Sequence, residues 1–587
     1  MSSPELGAHV GPDGTSFAVH APAADAVWLC LFDGEAERRI AMTRDGAIWR
    51  VDVPSAGEGT CYGYRADGAP AHDASKLLVD PYATTLDRAF VYDPLLTAQG
   101  ADTAALVPKA VVSVPSPVAL APPVFRHGGL IYELNVRGFT MLHPDVPDAQ
   151  RGTIAALAHP AVIANLTKLG VDAVELMPVV AWIDERHLPP LGLANAWGYN
   201  PVVPMALDPR LTPGGVAELR DTVASLRQAG IGVILDLVFN HSGESDEHGP
   251  TLSLRGLDDA AYARDGGGRL INDAGTGNTL DFANQAVRDL TLASMRHFVA
   301  HCGVDGFRFD LATVMARGPG FDAQAPIFAE IAADPLLADR VLIAEPWDTG
   351  PGGYQLGAFP SNWLEWNDRY RDDVRRFWRG DGSSGTLATR LSGSSDVFGD
   401  RATRSVNFVA AHDGFTLADT VAYAERHNYA NGEHNRDGHA HEISWNNGAE
   451  GACDDASVAE RRHADQRALL ATLFASRGTI MLTAGDEFGR SQAGNNNAYA
   501  QDNAITWLDW HARNRQLEDY VAGLSRQRRT CAALSVPAIR HDARWHRLDG
   551  GEMTQADWDS SAGFAMTVGD VTLRVDRNGR SVTIEQG

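Results

Sequence analysis

The 587-residue sequence is short of four things, and each absence removes a class of function. It has no apolar run near the ~20 residues that cross a bilayer, so no membrane span is expected. Its five cysteines, at 30, 61, 302, 453 and 531, are widely spaced and form no C-x-x-C. That pattern favours free thiols in a reducing compartment over a disulfide framework or a zinc site. Basic residues are outnumbered, 50 Lys and Arg against 75 Asp and Glu, for a net charge of −25. With no basic patch, the charge argues against nucleic acid and anionic membranes as partners, while a neutral or cationic substrate fits. The first residues, MSSPELGAHVGPDG, have neither a basic start nor an apolar stretch. No secretory signal is therefore expected, and the cytoplasm is the expected location.

What is present describes a multidomain protein. The hydrophobic content of 44% supplies ample core, and the length calls for roughly two to four domains. Residues 1–115 alternate in short stretches such as TSFAVHAP, AVWLCLF and IWRVDV between Gly, Pro and Asp turns, the pattern of a β-sandwich. A Pro- and Val-rich linker, VVSVPSPVALAPPVFRHGG, follows and marks a boundary. Residues 116–511 then alternate apolar, β-branched runs with helical stretches. The strand candidates are 130–139, 171–179, 232–241, 306–312, 341–347, 405–413 and 479–487, with a weaker one at 362–367. Eight such repeats imply a central (β/α)8 TIM barrel. A doubly wound sheet is the rival, but no Gly-rich phosphate turn follows LIYELNVRGF. Three connections, 180–213, 242–282 and 414–462, are too long for plain loops, and each follows the C-terminal end of a strand, where barrel sites form. Residues 512–587 return to short strands, a small C-terminal β-domain.

The strand ends carry the chemistry. VILDLVFNH offers Asp236, Asn240 and His241; GFRFDL offers Arg308 and Asp310; VLIAEPW offers Glu345; NFVAAHDG offers His412 and Asp413. Strand residues alternate between barrel interior and helix layer, so Arg308 and Asp310 share the inner face and Phe307 and Phe309 the outer. A salt-bridge layer closing the barrel accounts for any one of these acids. It does not account for the set, because several acids exceed what one arginine neutralises, and clustered carboxylates raise one another's pKa. Two carboxylates flanking a bond, one attacking and one donating a proton, are the equipment of glycoside cleavage. A metal pair is the rival, and Arg308 in the cluster argues against it, because a guanidinium repels cations and does not ligate.

These strand ends resemble the four signature regions of the α-amylase superfamily, glycoside hydrolase family 13: DLVFNH, GFRFD, AEPW and AAHD, in order. AWGYNP (196–201) resembles the isoamylase-type debranching enzymes. AEPWDTGPGGYQLGAFP, HNYANGEHNRDG, MLTAGDEFGRSQAGNNNAYAQDN and EMTQADW resemble the bacterial glycogen debranching enzymes. The resemblance implies Asp310 as nucleophile, Glu345 as general acid/base and Asp413 as the third carboxylate. Asp236, His241, Arg308 and His412 would line the cleavage subsite, and Tyr199 would stack on its sugar. Retention of configuration would require the working carboxyls at roughly 5–5.5 Å. The implied substrate is a branched α-glucan, glycogen or its limit dextrin, cut at α-1,6 links, with the N-terminal sandwich as a carbohydrate-binding-type module. Isoamylase of broader branch length, an α-1,4 hydrolase or a glucan transferase share the motif residues. A non-catalytic glucan-binding protein would have no need of all three carboxylates.

Trp347, Trp363 and Trp366 follow strands and are either sugar platforms or ordinary core. The polar stretch with Asn428, Asn431, His434, Asn435 and Arg436 either contacts glucan hydroxyls or is a hydrogen-bonded loop. No cofactor and no metal are expected. Calcium is the ion the resemblance raises, through Asn240 with Asp246, Asp258, Asp259 or Asp265 of the adjoining insertion, which show no EF-hand spacing.

Overall fold

A computed structural model describes residues 6–68, 72–318, 320–539 and 543–586. Eight parallel strands close a barrel in chain order: β1 (Leu130–Leu134), β2 (Ala173–Leu176), β3 (Gly232–Leu237), β4 (Gly306–Phe309), β5 (Val341–Ala344), β6 (Leu364–Trp366), β7 (Ser405–Asn407) and β8 (Thr479–Thr483), with β8 pairing back onto β1. Each strand is shorter than the apolar run that encodes it. The run beyond the last ladder bond becomes the loop that carries polar groups, as at β7, where His412 and Asp413 lie past Asn407. On β1 the chain turns directly into a short helix, Val136–Thr140, capped by the Asn135 side chain.

The alternation sorts side chains as expected. Ile131, Ile234, Ile343, Leu364, Val406 and Met481 form a cluster inside the barrel. Tyr132, Val174, Leu235, Phe307, Phe309 and Leu342 join the core shared with the surrounding helices. The stretch TIAALAHPAVIANLTKLG is two elements: Pro160 ends the turn Ile154–Ala158 and opens the helix Pro160–Leu169 at its first position. Gly170 closes that helix in the left-handed conformation, at φ 72°.

Before the barrel stand two four-stranded antiparallel sheets. One orders Gly7–Gly11, Gly14–His20, Ile48–Val53 and Thr43–Asp45; the other orders Ala36–Ala41, Ala24–Asp33, Cys61–Gly68 and Ala110–Val111. Their shared core of Phe17, Leu29, Trp49 and Tyr64 runs on into Ile183 and Val203 of the first long connection and Leu252 and Leu257 of the second. The sandwich therefore braces two of the three insertions at the barrel mouth.

After the barrel the chain does not go straight to strands. Helix Arg515–Thr530 packs on the barrel-shell helices Ala456–Ala475 and Pro160–Leu169. Arg528 at its end donates to the Phe474 and Gly128 carbonyls at 3.0 and 3.2 Å. The C-terminal sheet, an antiparallel meander, begins only at Arg544–His546. Among the described residues no helix is long and apolar enough to cross a membrane.

Candidate active site

A cleft of about 940 Å³ opens at the C-terminal ends of the strands. Its walls come from all three long connections, with Glu185 and Tyr199, Ser245 and Asp246, and Glu433 and His439, and from Tyr92 of the N-terminal region. On its floor lie Asp310, Glu345, His412, Asp413, His241 and Trp347.

Directly beneath that floor is a fully buried guanidinium. Arg308 Nη1 donates to both oxygens of Asp236, at 2.9 and 2.8 Å, and to Asp310 Oδ1 at 3.2 Å. Its Nη2 is 3.0 Å from Glu345 Oε2. The Trp366 ring lies 4.4 Å from the same guanidinium, a cation–π contact. One cation is thus shared among three carboxylates, and its tightest partner is Asp236 rather than Asp310. Arg308, Asp236 and Trp366 do not reach the cleft: each is at most 2% exposed. The expectation that they contact sugar is corrected accordingly; they form the layer that fixes the floor from below. Two-residue alternation from Leu364 turns Trp366 into the barrel, not out of its mouth. Trp363 is ordinary core, packed on Phe309, Phe328 and Phe359.

Asp310 is held by a second donor. Asn240 Nδ2 reaches Asp310 Oδ2 at 2.7 Å and its backbone carbonyl at 2.8 Å. Asn240 Oδ1 faces His241 Nδ1, whose other nitrogen is 3.0 Å from the Tyr199 carbonyl. Burial lowers the His241 pKa, while Asp310 and the Tyr199 carbonyl favour its charged form. Asn240 is therefore fully engaged in the site. Asp246, Asp258, Asp259 and Asp265 pair separately with Arg186, His20, Arg264 and Arg269. Among the described residues no group of three or more His, Cys, Asp or Glu is arranged to hold a metal.

Glu345 is the deeply buried acid of the cleft floor. Its Oε2 accepts the Leu311 N–H at 2.7 Å. Leu311 makes that contact from the left-handed region, φ 41° and ψ 52°, a conformation a leucine adopts only at a cost of about 1–2 kcal/mol. Burial pushes the Glu345 carboxyl up to about 8, with Arg308 opposing and Asp310 adding to the rise. Asp413 is the contrast. It is half-exposed, and despite the opposing effect of burial, the hydrogen bond from His439 and that ring's charge hold its carboxyl down to about 2.

Tyr199 donates to Asp236 Oδ2 at 2.5 Å and stacks on His412 at 4.9 Å, so one ring face is taken by protein. His412 Nδ1 meets Glu133 Oε1 at 2.6 Å, and Glu133 raises the His412 pKa against the lowering effect of burial. Thr483 donates to the other Glu133 oxygen at 2.9 Å. Glu133 and Glu175 are interior acids that the strand-end reading does not single out. Glu175 is fully buried, with both side-chain oxygens lacking a hydrogen-bond partner. Burial, with Asp236 and Glu133 nearby, pushes its carboxyl well above the usual range, which is the neutral form. The signal for both was the alternation already used for GFRFD, applied to LIYEL and AVEL. His439 had no such signal.

The asparagine-rich part of the third insertion is a hydrogen-bonded loop. Asn428 and Asn431 are fully buried and bond to Asn496 and Asp437. Asn435 donates back to the Arg426 carbonyl.

A parallel barrel with carboxylates on the ends of β4, β5 and β7, behind a β-sandwich, is the architecture of a family 13 glycoside hydrolase. Residues 5–83 match the family model for carbohydrate-binding module 48, the isoamylase N-terminal domain. Solved pullulanases share the fold: that of Anoxybacillus sp. LM18-11 with maltotetraose has a TM-score of 0.74 at 24% identity, over 98% of this chain and 82% of that one. The pullulanase of Paenibacillus barengoltzii, with maltohexaose and α-cyclodextrin, gives 0.74 at 22% identity, over 98% and 89%. Within that class the chain belongs to the glycogen debranching enzyme family. It is 46% identical over 592 residues to the glycogen debranching enzyme of Yersinia enterocolitica, covering 96% of this chain and 88% of the relative. The enzyme of Serratia proteamaculans is 45% identical over 602 residues, covering 97% and 90%.

Proposed function

We propose that this protein hydrolyses the α-1,6 branch linkages of glycogen or phosphorylase limit dextrin by a retaining double displacement. The observation that carries the reading is the pair Asp310 and Glu345 on one guanidinium at the floor of an open cleft, the second kept protonated by burial. Asp310 attacks the anomeric carbon as a carboxylate while Glu345 gives its proton to the departing glycosidic oxygen. The resulting glycosyl ester is opened by a water that Glu345, now ionised, deprotonates; the proton returns Glu345 to its starting state. Asp413 and His412 grip hydroxyls of the cleaved sugar, and Trp347 and Tyr199 supply aromatic surface for its ring.

The branched substrate is supported by the names of the relatives and by the cleft's openness to three insertions, which suits a branched chain better than a tunnel would. The five cysteines are free thiols, which supports a cytoplasmic setting. No metal or cofactor enters any step.

The test is product sizing after incubation with phosphorylase limit dextrin, pullulan and linear maltooligosaccharides. Release of short linear maltooligosaccharides from the branched substrate is expected. Attack on linear chains with no action on branches would sink the reading.

A further inference from the structure

The three carboxylates are not held alike. Asp310 and Glu345 are fixed by strand neighbours and Arg308. Among the described residues, the one hydrogen bond to the Asp413 carboxylate comes from His439 Nε2, at 3.0 Å. His439 stands on the third insertion, remote in sequence from every strand-end motif.

The pair is set by a shared anchor. Asn496 takes the Gly414 N–H on its carbonyl at 3.1 Å, next to Asp413. The Asn496 side chain donates to the His439 carbonyl at 3.0 Å and to Glu442 at 3.1 Å. Glu442 is in turn paired with buried Arg375 at 3.0 Å. Gly438 closes the loop beside His439 at φ 72°, where a Cβ would lie 2.4 Å from Asn496 Oδ1; only glycine fits that approach. One buried asparagine therefore fixes both backbones from which Asp413 and His439 reach each other.

Both side chains are about half-exposed, 46% for Asp413 and 48% for His439. Water screens such a pair, so it contributes little to folding. A sugar seated on Asp413 would cover it, and the same pair strengthens once water is excluded. Its contribution would then appear during the reaction and not in the free protein.

We propose that His439 is a positioning residue for hydrolysis: it holds the Asp413 carboxylate in its sugar-gripping orientation once substrate covers the pair. The proposal rests on the function proposed above and deepens it, assigning part of the grip to a loop residue outside the four motifs.

The experiment compares the full chain with His439→Ala, His439→Gln and, as a control on the same loop, His441→Ala, on phosphorylase limit dextrin. His441 is exposed and lies two residues on. Losing one charge-assisted hydrogen bond is expected to lower kcat/KM by about ten-fold in His439→Ala, mainly through kcat. The melting temperature should not move. His439→Gln keeps a donor to the ionised Asp413 while losing the ring's charge, and should recover to within about three-fold of the parent. His441→Ala should match the parent. Parental activity in His439→Ala would overturn the proposal, as would a loss that tracks a fall in melting temperature, the mark of a loop-folding role. If the parent chain released nothing from branched glucan, the function itself would fail first, and that result is distinct from either.

Discussion

Asp310 and Glu345 on one side, and Asp413 on the other, show two ways of placing a carboxylate at a barrel mouth. The first two have 13% and 10% exposed side chains and share a buried cation that sits in register between β3 and β5. The third is 46% exposed and takes, among the described residues, its one hydrogen bond from an insertion. In the mechanism proposed, bond-breaking falls to the two carboxylates that the barrel ladder and Arg308 fix. Where a sugar must be gripped and released, a solvent-reachable carboxylate on a loop suffices. Burial lifts Glu345 towards neutrality, while the histidine lowers the Asp413 pKa against the effect of burial.

The largest effects should fall on the buried pair. Asp310→Asn removes the proposed nucleophile and is expected to lower kcat by several orders of magnitude, with the melting temperature held or raised as one like charge leaves the cluster. Glu345→Gln should cost about 10²–10⁴-fold in kcat, and less on an aryl glucoside whose leaving group needs no proton. Steady-state kinetics on both substrates checks this. An Asp310→Asn variant of near-parental activity would break the comparison at its root.

The layer under the floor separates from the floor itself. Trp366 is 2% exposed and lies against Arg308, whereas Trp347 is half-buried in the cleft. Trp366→Ala should destabilise the fold by about 3–5 kcal/mol through the cavity it leaves. Trp347→Ala should leave denaturant midpoints nearly unchanged and raise KM. Equal losses of stability in the two would merge the layers that the structure divides.

What was legible in the sequence divides along the same line. Period-two alternation in GFRFD fixed which way Arg308 and Asp310 point, because facing is a property of any strand whatever its length. Eight apolar runs with helices between them were enough for the closed barrel. Position just after a strand did not distinguish cleft from interior, so Trp366 read like Trp347 until β6 set its facing. Glu133 and Glu175 lie mid-run, and a lone acid in an apolar strand does not announce its partner. The loop network of Asn428, Asn431 and Asn496 has no period, and His439 reaches Asp413 only through that closure. Helix Arg515–Thr530 was hidden by its Arg- and Gln-rich exposed face; its apolar stripe is narrow and serves the barrel shell.

Titration sharpens the contrast further. In the proposed mechanism Glu345 must be protonated to assist departure, and its pKa is raised from 4.5 to about 8. Activity should therefore fall as pH rises through about 8, by about ten-fold for each unit beyond. The sign for stability is the same. A carboxyl raised on folding lends stability that is fully present below its unfolded value and lost as pH climbs from 4.5 through about 8. Glu345→Gln should flatten that decline in melting temperature. Asp413, ionised down to about 2, should contribute no acid limb above that pH.

The smallest effect is the most local. Leu311 stands between the two buried carboxylates at φ 41°, and its N–H, aimed by that turn, is the backbone donor to Glu345. Leu311→Gly relieves about 1–2 kcal/mol of backbone strain. It also frees the unfolded chain and strips a partly buried side chain from the core, each worth about 1 kcal/mol in the opposite direction. Net stability should thus change by less than about 1 kcal/mol. The activity should not be so balanced. Glycine samples other backbone angles, and a wandering N–H no longer holds the Glu345 carboxylate. Because that hydrogen bond favours the ionised form, weakening it should move the alkaline limb of kcat/KM upward while kcat drops several-fold. A limb that stays in place while kcat falls would show that Leu311 acts through its side chain in the cleft, and that the strained turn does not tune the acid.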